Sequence, residues 1–535
     1  MFKKHPKGLL AAALTNMGER FGFYIMMAIL TLFISAKFGL SEITTGYIYS
    51  TFYASIYVLA LIGGLIADKT RNYKRTIMWG LILMAVGYFI IAFPTPTPVP
   101  NFALYLALTC FGLLVIAFGN GLFKGNLQAL VGQMYDKKEY KDRIRKEYGV
   151  DKNGQVHDMR DTGFQLFYMF INIGGFFAPF IAIAVRNWWL KFNGFDYNAQ
   201  LPELCHQYLG DSAAMSVEQM NNFQTYSAQV MLDGTTVTNL QEFSKQYLNV
   251  FNQGFQYAFF ATIIALGVSL FIYLTNQNKF PDPGSSSVKL KKGEKVTREE
   301  VTMAASEIRQ RIYALFAVFG VVIFFWFSFH QNGYSLTYFA RDYINLDAID
   351  INLGFTSLKG AEIFQSVNPF FVVLLTPIIM WVFGALKKRD IEPSTPKKIG
   401  IGMGIAALAY IFFLVVSIAL PDKSALATMP ADQLDMMKLT PWVMVGMYFI
   451  LTVAELFISP LGLSFVSKVA PPHLQGIMQG AWLAATAVGN SLLFIGGILY
   501  TFVPLWACWL VFATACGLSM IVMLSMIKWL ERVAR

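Results

Sequence analysis

The chain has 535 residues, 56% of them hydrophobic and only 14% charged, and its mean hydropathy is +0.49. Soluble domains carry roughly 25% charged residues, so the composition excludes a soluble globular protein and points to a polytopic membrane protein whose partner is the lipid bilayer. A net charge of +10 would suit a nucleic-acid partner in a soluble chain, but the basic residues gather in particular loops, as orientation signals do, and no nucleic acid is expected.

The first apolar run, residues 9–33, is long enough to cross a roughly 30 Å hydrocarbon core, yet it contains NMGERFGFY with Glu19 and Arg20 side by side. A charged side chain at mid-bilayer costs about 2.5–3.5 kcal/mol, so the pair must face a protein interior or a wet cavity. It is either a helix-packing ion pair or part of a site. Asn16, Glu19, Arg20 and Tyr24 bring amide, carboxylate, guanidinium and phenol together within about two helical turns, which favours a site. The run is too long and too charged for a cleavable signal peptide, so it is expected to stay as a span.

Apolar runs follow at 46–67, 76–93, 102–131, 163–185 and 254–274, giving six spans. The polar, basic stretch that contains PDPGSSS and KLKKGEK reads as a flexible linker. Six more runs come after it, at 312–329, 367–386, 399–420, 441–463, 480–500 and 502–527. The expected fold class is therefore an all-α membrane protein of twelve transmembrane helices. Its expected domains are a first six-helix bundle over 1–276, a cytoplasmic linker over 277–310 and a second bundle over 311–535.

Alternate loops carry the basic residues: Lys3, Lys4 and Lys7; Lys69, Arg71, Lys74 and Arg75; the cluster from Lys289 to Arg311; and Lys387, Lys388, Arg389, Lys397 and Lys398. These loops are expected to be cytoplasmic, which places both termini inside a cell (inner) membrane. The segment 187–252, rich in Gln, Asn, Ser and Asp, is then external, as a small cap or a disordered loop. The four cysteines, Cys110, Cys205, Cys508 and Cys516, have no CxxC or paired spacing, so neither a disulfide framework nor a metal site is expected.

Two six-helix halves joined by a linker is the plan of a rocking transporter with its site between the halves. Gly64, Asp68, Arg71, Lys74 and Arg75 after the second span have the spacing that major facilitator proteins carry there. More of the chain resembles one family in that superfamily, the proton-dependent oligopeptide transporters. Glu19, Arg20, Phe21 and Tyr24 are similar to its ExxERFxYY signature, GLFKGN puts Lys124 where the family has a buried lysine, and FYMFINIGG resembles its fifth-helix motif. FWFSFHQNG, FQSVNPFFVVLLTP, ELFISPLGLSFVSKVAP and GIMQGAW resemble segments of its seventh, eighth, tenth and eleventh helices. The resemblance implies a major facilitator fold of two six-helix bundles, a monomer, and import of di- and tripeptides with protons as co-substrate and no other cofactor.

Arg20 and Lys124 lie in one half and Glu455 in the other, so a zwitterion fits between them. Arg20 and Lys124 are expected to hold a peptide carboxylate and Glu455 its ammonium. Extended residues add about 3.3–3.6 Å each, so a fixed gap would admit short peptides and penalise long ones. The resembling motifs place Asn172 and Asn368 to bond the peptide backbone, with Tyr24, Tyr57, Tyr168, Trp326, Ser459 and Trp482 as walls; each aromatic taken alone also suits core packing.

Four positions depart from the family pattern: Asn16 replaces an acid, Ala60 a proline, Met27 an arginine and His330 an acid. In the family the arginine and the acid at positions 27 and 330 can pair, so their joint replacement by Met27 and His330 leaves no orphan charge. Glu19 becomes the first candidate for proton coupling and His330 the second, the alternative for His330 being a neutral packing residue. Other readings stay open: a carrier of an amino acid, nitrate or drug, or a receptor that binds peptide without moving it. An enzyme is not expected, because HExxH, GxSxG and paired histidines are all missing.

Overall fold

The computed structural model describes residues 5–70, 72–148, 160–281, 305–389, 391, 393–471 and 475–534. Apolar runs in lipid must satisfy their own backbone groups, and every one of the twelve expected spans is helical. The first bundle contains α1 (Leu9–Phe38), α2 (Glu42–Thr70), α3 (Tyr73–Ala92) and α4 (Phe102–Asp136). The short α5 (Lys138–Tyr148) leads to α6 (Arg160–Phe192). Then α7 (Leu201–Asp211) and α8 (Val217–Gln229) precede the sixth span, α9 (Leu240–Thr275).

The second bundle opens with α10 (Ala305–Phe329), a 3₁₀ turn at His330–Gly333 and α11 (Ser335–Tyr343), which together make the seventh span. A 3₁₀ turn at Ala361–Ser366 leads into α12 (Val367–Lys388), and α13 (Thr395–Ser417) follows. Short helices α14 (Lys423–Leu426) and α15 (Ala431–Met437) connect to α16 (Trp442–Val469). The chain ends with α17 (Gln475–Ser491), α18 (Phe494–Phe502), α19 (Leu505–Ser525) and the amphipathic α20 (Ile527–Ala534). Twelve crossings leave both chain ends on one face; the opposite face is called distal below.

Packing explains how α1 tolerates charge. Helix α1 is wedged between α6 and α9, and 83% of its apolar window is buried, far more than in α2 or α4. The outer walls are apolar instead: Leu65, Ile264, Phe271, Trp381 and Phe502 are large and exposed, as a lipid-facing surface requires. Between α2 and α4 the backbones touch. A Cβ on Gly63 would sit 2.1 Å from the Gly121 carbonyl oxygen, so only glycine allows this approach. That contact brings Lys124 of α4 against Tyr57 of α2, with the ammonium 4.6 Å from the ring centroid.

Two expectations need adjusting, and some lie outside the described residues. The segment 187–252 is a helical cap rather than a disordered loop, and its last part, from Leu240, is the start of α9. The seventh span does not stop at residue 329 but breaks at His330–Gly333 and runs on to Tyr343. Lys3, Lys4, Arg71, the side chains of Asp68, Lys387 and Lys388, and residues 282–304 of the expected linker lie outside the described residues.

Hydrogen bonds and ion pairs between the bundles, among the described residues, lie at the distal face. Arg186 of α6 pairs with Glu362, and Thr356 Oγ1 donates to the Ala184 carbonyl at 2.7 Å. Arg341 Nη2 donates to Glu42 Oε1 at 2.9 Å, and Ser35 Oγ lies 3.0 Å from the Tyr338 hydroxyl. The distal face is therefore closed in this conformation.

Candidate functional site

A cavity of about 230 Å³ lies between the bundles. Helix α1 sends Asn16, Arg20 and Tyr24 to its wall, and α4 sends Lys124 and Gln128. Tyr49, Tyr53 and Tyr57 stand at successive i, i+4 positions of α2 and form one aromatic stripe on the same wall. Across from them the second bundle presents Trp326, His330, Asn368, Glu455 and Ser459, while Tyr168 reaches in from α6. A larger hollow of about 360 Å³ sits at the distal face, but its charged residues Glu42, Glu203 and Arg341 are close enough to pair with one another. In the central cavity Arg20 and Lys124 face Glu455 of the other bundle, and among the described residues neither Lys124 nor Glu455 is in an ion pair.

Arg20 is held in a defined way. Its Nε donates to Glu19 Oε2 and its Nη2 to Glu19 Oε1, both at 2.5 Å, and the guanidinium lies 4.5 Å from the Phe23 ring centroid. Asn120 of α4 donates a further bond to Glu19 Oε1 at 2.6 Å. This side-on pairing uses Nε and one Nη2 hydrogen, and Nη1 makes no hydrogen bond among the described residues. A planar fork with one edge occupied can still bond an anion along its free end. Lys124 has its Tyr57 ring contact and no ion pair among the described residues.

On the opposite wall Asn368 Nδ2 donates to Glu455 Oε2 at 2.8 Å and to Thr452 Oγ1 at 3.0 Å. Glu455 Oε1 accepts nothing among the described residues, so this carboxylate is oriented by one oxygen and available at the other. His330 Nδ1 donates to Asn490 Oδ1 at 2.6 Å. Its ring stacks on Trp326, with centroids 4.8 Å apart, and lies 4.6 Å from Tyr53.

Ten of the expected residues reach the cavity wall: Arg20, Tyr24, Tyr57, Lys124, Tyr168, Trp326, His330, Asn368, Glu455 and Ser459. Three do not. Glu19 sits behind Arg20, its side chain 1% exposed. Asn172 is turned into α6, where its Nδ2 donates to the Tyr168 carbonyl at 3.1 Å; the cavity-facing positions of that helix are taken by Tyr168 and Ile171. Trp482 packs where Gly462 leaves room, since a Cβ there would meet its Cη2 at 1.9 Å, and it stands edge-on to Phe319.

Sequence reasoning missed Tyr49 and Tyr53, although their four-residue spacing from Tyr57 was a usable signal. It also missed Gln128, one turn after Lys124. Asn332 and Gln365 had no periodic signal, because both lie in 3₁₀ turns where helical spacing fails. Asn16, noted as a departure, lines the wall one turn before Arg20.

The POT family profile, PTR2, matches residues 74–298 and 249–507. The chain belongs to the POT family. Its relatives include the peptide transporter YePEPT of Yersinia enterocolitica subsp. palearctica, 28% identical over 522 residues that cover 91% of this chain and 87% of that one. Dipeptide and tripeptide permease A of Erwinia pyrifoliae is 25% identical over 488 residues, covering 90% of this chain and 84% of the permease. Among solved structures, peptide transporter POT in complex with sulfate superposes with a TM-score of 0.68 at 21% identity, covering 100% of this chain and 96% of that one. A POT family transporter in complex with 5-aminolevulinic acid gives the same TM-score at 19% identity, covering 100% and 98%. These likenesses carry the fold, the major facilitator arrangement of two six-helix bundles in a multi-pass membrane protein. The named members of the family are transporters, not enzymes.

Proposed function

We propose that the protein is a proton-coupled symporter that imports di- and tripeptides by alternating access, as a monomer in the cell (inner) membrane with both termini cytoplasmic. The domain limits that go with this reading are bundles over 1–276 and 311–535 joined by a cytoplasmic linker over 277–310. One observation carries the reading: Arg20 and Lys124 of the first bundle and Glu455 of the second line a single cavity from opposite sides. A zwitterion bound between them ties the bundles together, which is how a carrier distinguishes its loaded from its empty state. The free end of the Arg20 fork suits a carboxylate, Lys124 adds a second cation, and Glu455 Oε1 suits an ammonium. Asn368 serves Glu455 and, with it, the peptide backbone. Tyr24, Tyr57, Tyr168, Trp326 and Ser459 form walls that accept varied side chains. The relatives named as peptide transporters and as dipeptide and tripeptide permeases support the substrate class.

The proton is assigned first to Glu19, whose protonation would release Arg20 for the peptide carboxylate, and second to His330. One proton crossing about 100 mV supplies roughly 2.3 kcal/mol, enough for several-tenfold accumulation. The test is uptake of labelled dialanine into proteoliposomes under an inward proton gradient, beside a panel of tripeptides and single amino acids. Accumulation abolished by an uncoupler and resisted by single amino acids is expected; accumulation indifferent to the uncoupler rejects the reading. Glu19→Gln should lose driven uptake yet keep peptide counterflow, since exchange needs no net proton movement. If Glu19→Gln still accumulates dialanine and His330→Gln does not, coupling lies with His330.

A further inference from the structure

Helices α7 and α8 belong to the first bundle but reach across the distal face to the connection between α13 and α16. Ser216 Oγ donates to the Ala427 carbonyl at 2.9 Å, and Asn222 Nδ2 donates to the Met429 carbonyl at 2.8 Å. Ser216 is also the N-cap of α8, accepting from the Gln219 amide at 3.1 Å while Gln219 Oε1 accepts from the Ser216 amide at 2.8 Å. One hydroxyl can accept and donate at once, so this serine both starts the helix and grips the opposite bundle.

Each side of this joint is anchored firmly to its own bundle. On the first side, Tyr208 and Phe243 pack their rings on Phe223 of α8, and the Tyr247 hydroxyl of α9 accepts from the Asn198 amide at 3.0 Å. On the second side, the Leu439 amide donates to the Tyr343 carbonyl at 2.8 Å, and the Tyr343 hydroxyl donates to the Pro421 carbonyl at 2.9 Å. The polar bonds of the joint itself are few among the described residues, although Tyr226 and Leu434 are buried beside them. Beyond the two side-chain bonds it has Glu203, half-exposed and 3.9 Å from both Lys423 and Arg341, a spacing and exposure at which ion pairs contribute little. Burial works against the Lys423 ammonium, but Asp342, Glu203 and Glu42 outweigh it and hold the group above the ordinary lysine range, so it stays charged.

Two well-anchored pieces meeting at a few breakable bonds are built to part as rigid bodies. Because the acceptors are backbone carbonyls, the grip depends on where the 421–440 connection sits rather than on its side chains. We propose that α7–α8 and the 421–440 connection form a clasp across the distal face, with Ser216 and Asn222 as positioning residues that must let go each time the cavity opens distally. The inference rests on alternating access as described above.

The test joins the two sides. In a background with the four native cysteines replaced by serine, Asn222→Cys and Met429→Cys are bridged by a short, reductant-cleavable thiol cross-linker. Proton-driven dialanine uptake should fall about tenfold or more, recover on reduction, and leave dialanine binding in detergent unchanged. Uptake at the unlinked rate overturns the clasp. Failure of the unlinked protein to bind dialanine would instead count against the peptide reading. The clasp is then judged by a measurement that needs no substrate: labelling of Gln365→Cys by a membrane-impermeant maleimide applied to intact cells. Ser216→Ala and Asn222→Ala should each speed labelling about two- to tenfold, the effect of one lost hydrogen bond on an opening equilibrium. Asn222→Gln, which keeps the donor, should restore much of the closed state, and unchanged rates in the alanine variants overturn the proposal.

Discussion

Arg20 and Arg186 are both buried guanidiniums of the first bundle, and each pairs with a glutamate, yet their surroundings differ. All three nitrogens of Arg186 are engaged: Nη1 pairs with Glu362, Nη2 donates to the Lys359 carbonyl at 2.9 Å, Nε donates to Asn187 Oδ1 at 2.9 Å, and its face lies 3.9 Å from the Tyr197 ring centroid. Arg20 has one edge committed to Glu19 and the other turned to the cavity. Its partner is in its own helix, whereas the partner of Arg186 is in the other bundle. The same pair of residue types thus makes a latch where every guanidinium nitrogen is engaged and a binding group where Nη1 is left free of hydrogen bonds among the described residues. A guanidinium engaged at every nitrogen can hold or break; one with a nitrogen free at a cavity wall can take a further partner.

Breaking the latch should have the larger effect on stability. Glu362→Ala strands a guanidinium that is fully buried, and the loss should be about 3–5 kcal/mol, read as a drop in the thermal unfolding midpoint in detergent. A double change to Arg186→Met with Glu362→Leu should recover much of it. A loss below about 1 kcal/mol for the single variant would mean that Arg186 is not a latch. At the cavity, Arg20→Lys keeps the charge and removes the fork. Dialanine affinity should weaken by about 1.5–3 kcal/mol with little change in the unfolding midpoint. An equal fall in both would erase the distinction between the two arginines.

The smallest expected effect sharpens the comparison at the distal end. His206 Nε2 donates to the Ala36 carbonyl at 2.7 Å, its ring filling the space left by Gly39, which ends α1 at φ 65°. Burial lowers its pKa from the usual 6.5, with the Ala36 bond pulling weakly the other way; Glu42, Glu203 and Arg341 line the same hollow. A depressed histidine pKa means that the unfolded or detached state binds the proton more tightly. The α1–α7 contact is therefore intact above the ordinary histidine value and loosens as pH falls through and below it. Hydrogen exchange of the 201–211 amides should quicken between about pH 7.5 and pH 5.5 after correction for intrinsic rates, by less than about 1 kcal/mol, and His206→Gln should remove that dependence. Identical profiles for the two proteins would show that His206 takes no part.

How much of this was legible in the sequence depended on periodicity. The twelve spans were, because apolar runs in lipid have one solution, and Arg20, Lys124 and Glu455 stood out because charge inside such runs needs a reason. Asn172 and Trp482 were misplaced because a motif gives a residue's neighbourhood but not its helical phase; a turn of about one position moves a side chain from cavity to core. Arg186 and Glu362 escaped notice because each lies near the end of a span, where charge is ordinary in a sequence and only their meeting makes it unusual. The clasp was hidden for a similar reason: its acceptors are backbone carbonyls, which any residue supplies. His330 was legible as a cavity residue, but its Asn490 partner lies 160 positions away.

The central claim is that a peptide's two charged ends bridge the bundles, and it is tested most directly by Glu455→Gln. Binding of free dialanine and of N-acetyl-dialanine to the purified protein should be compared before and after the substitution. The account predicts that the free peptide weakens by about 2–5 kcal/mol, the cost of leaving a desolvated ammonium without its partner, while the acetylated one changes little. Equal weakening of both peptides, or none of either, would contradict it.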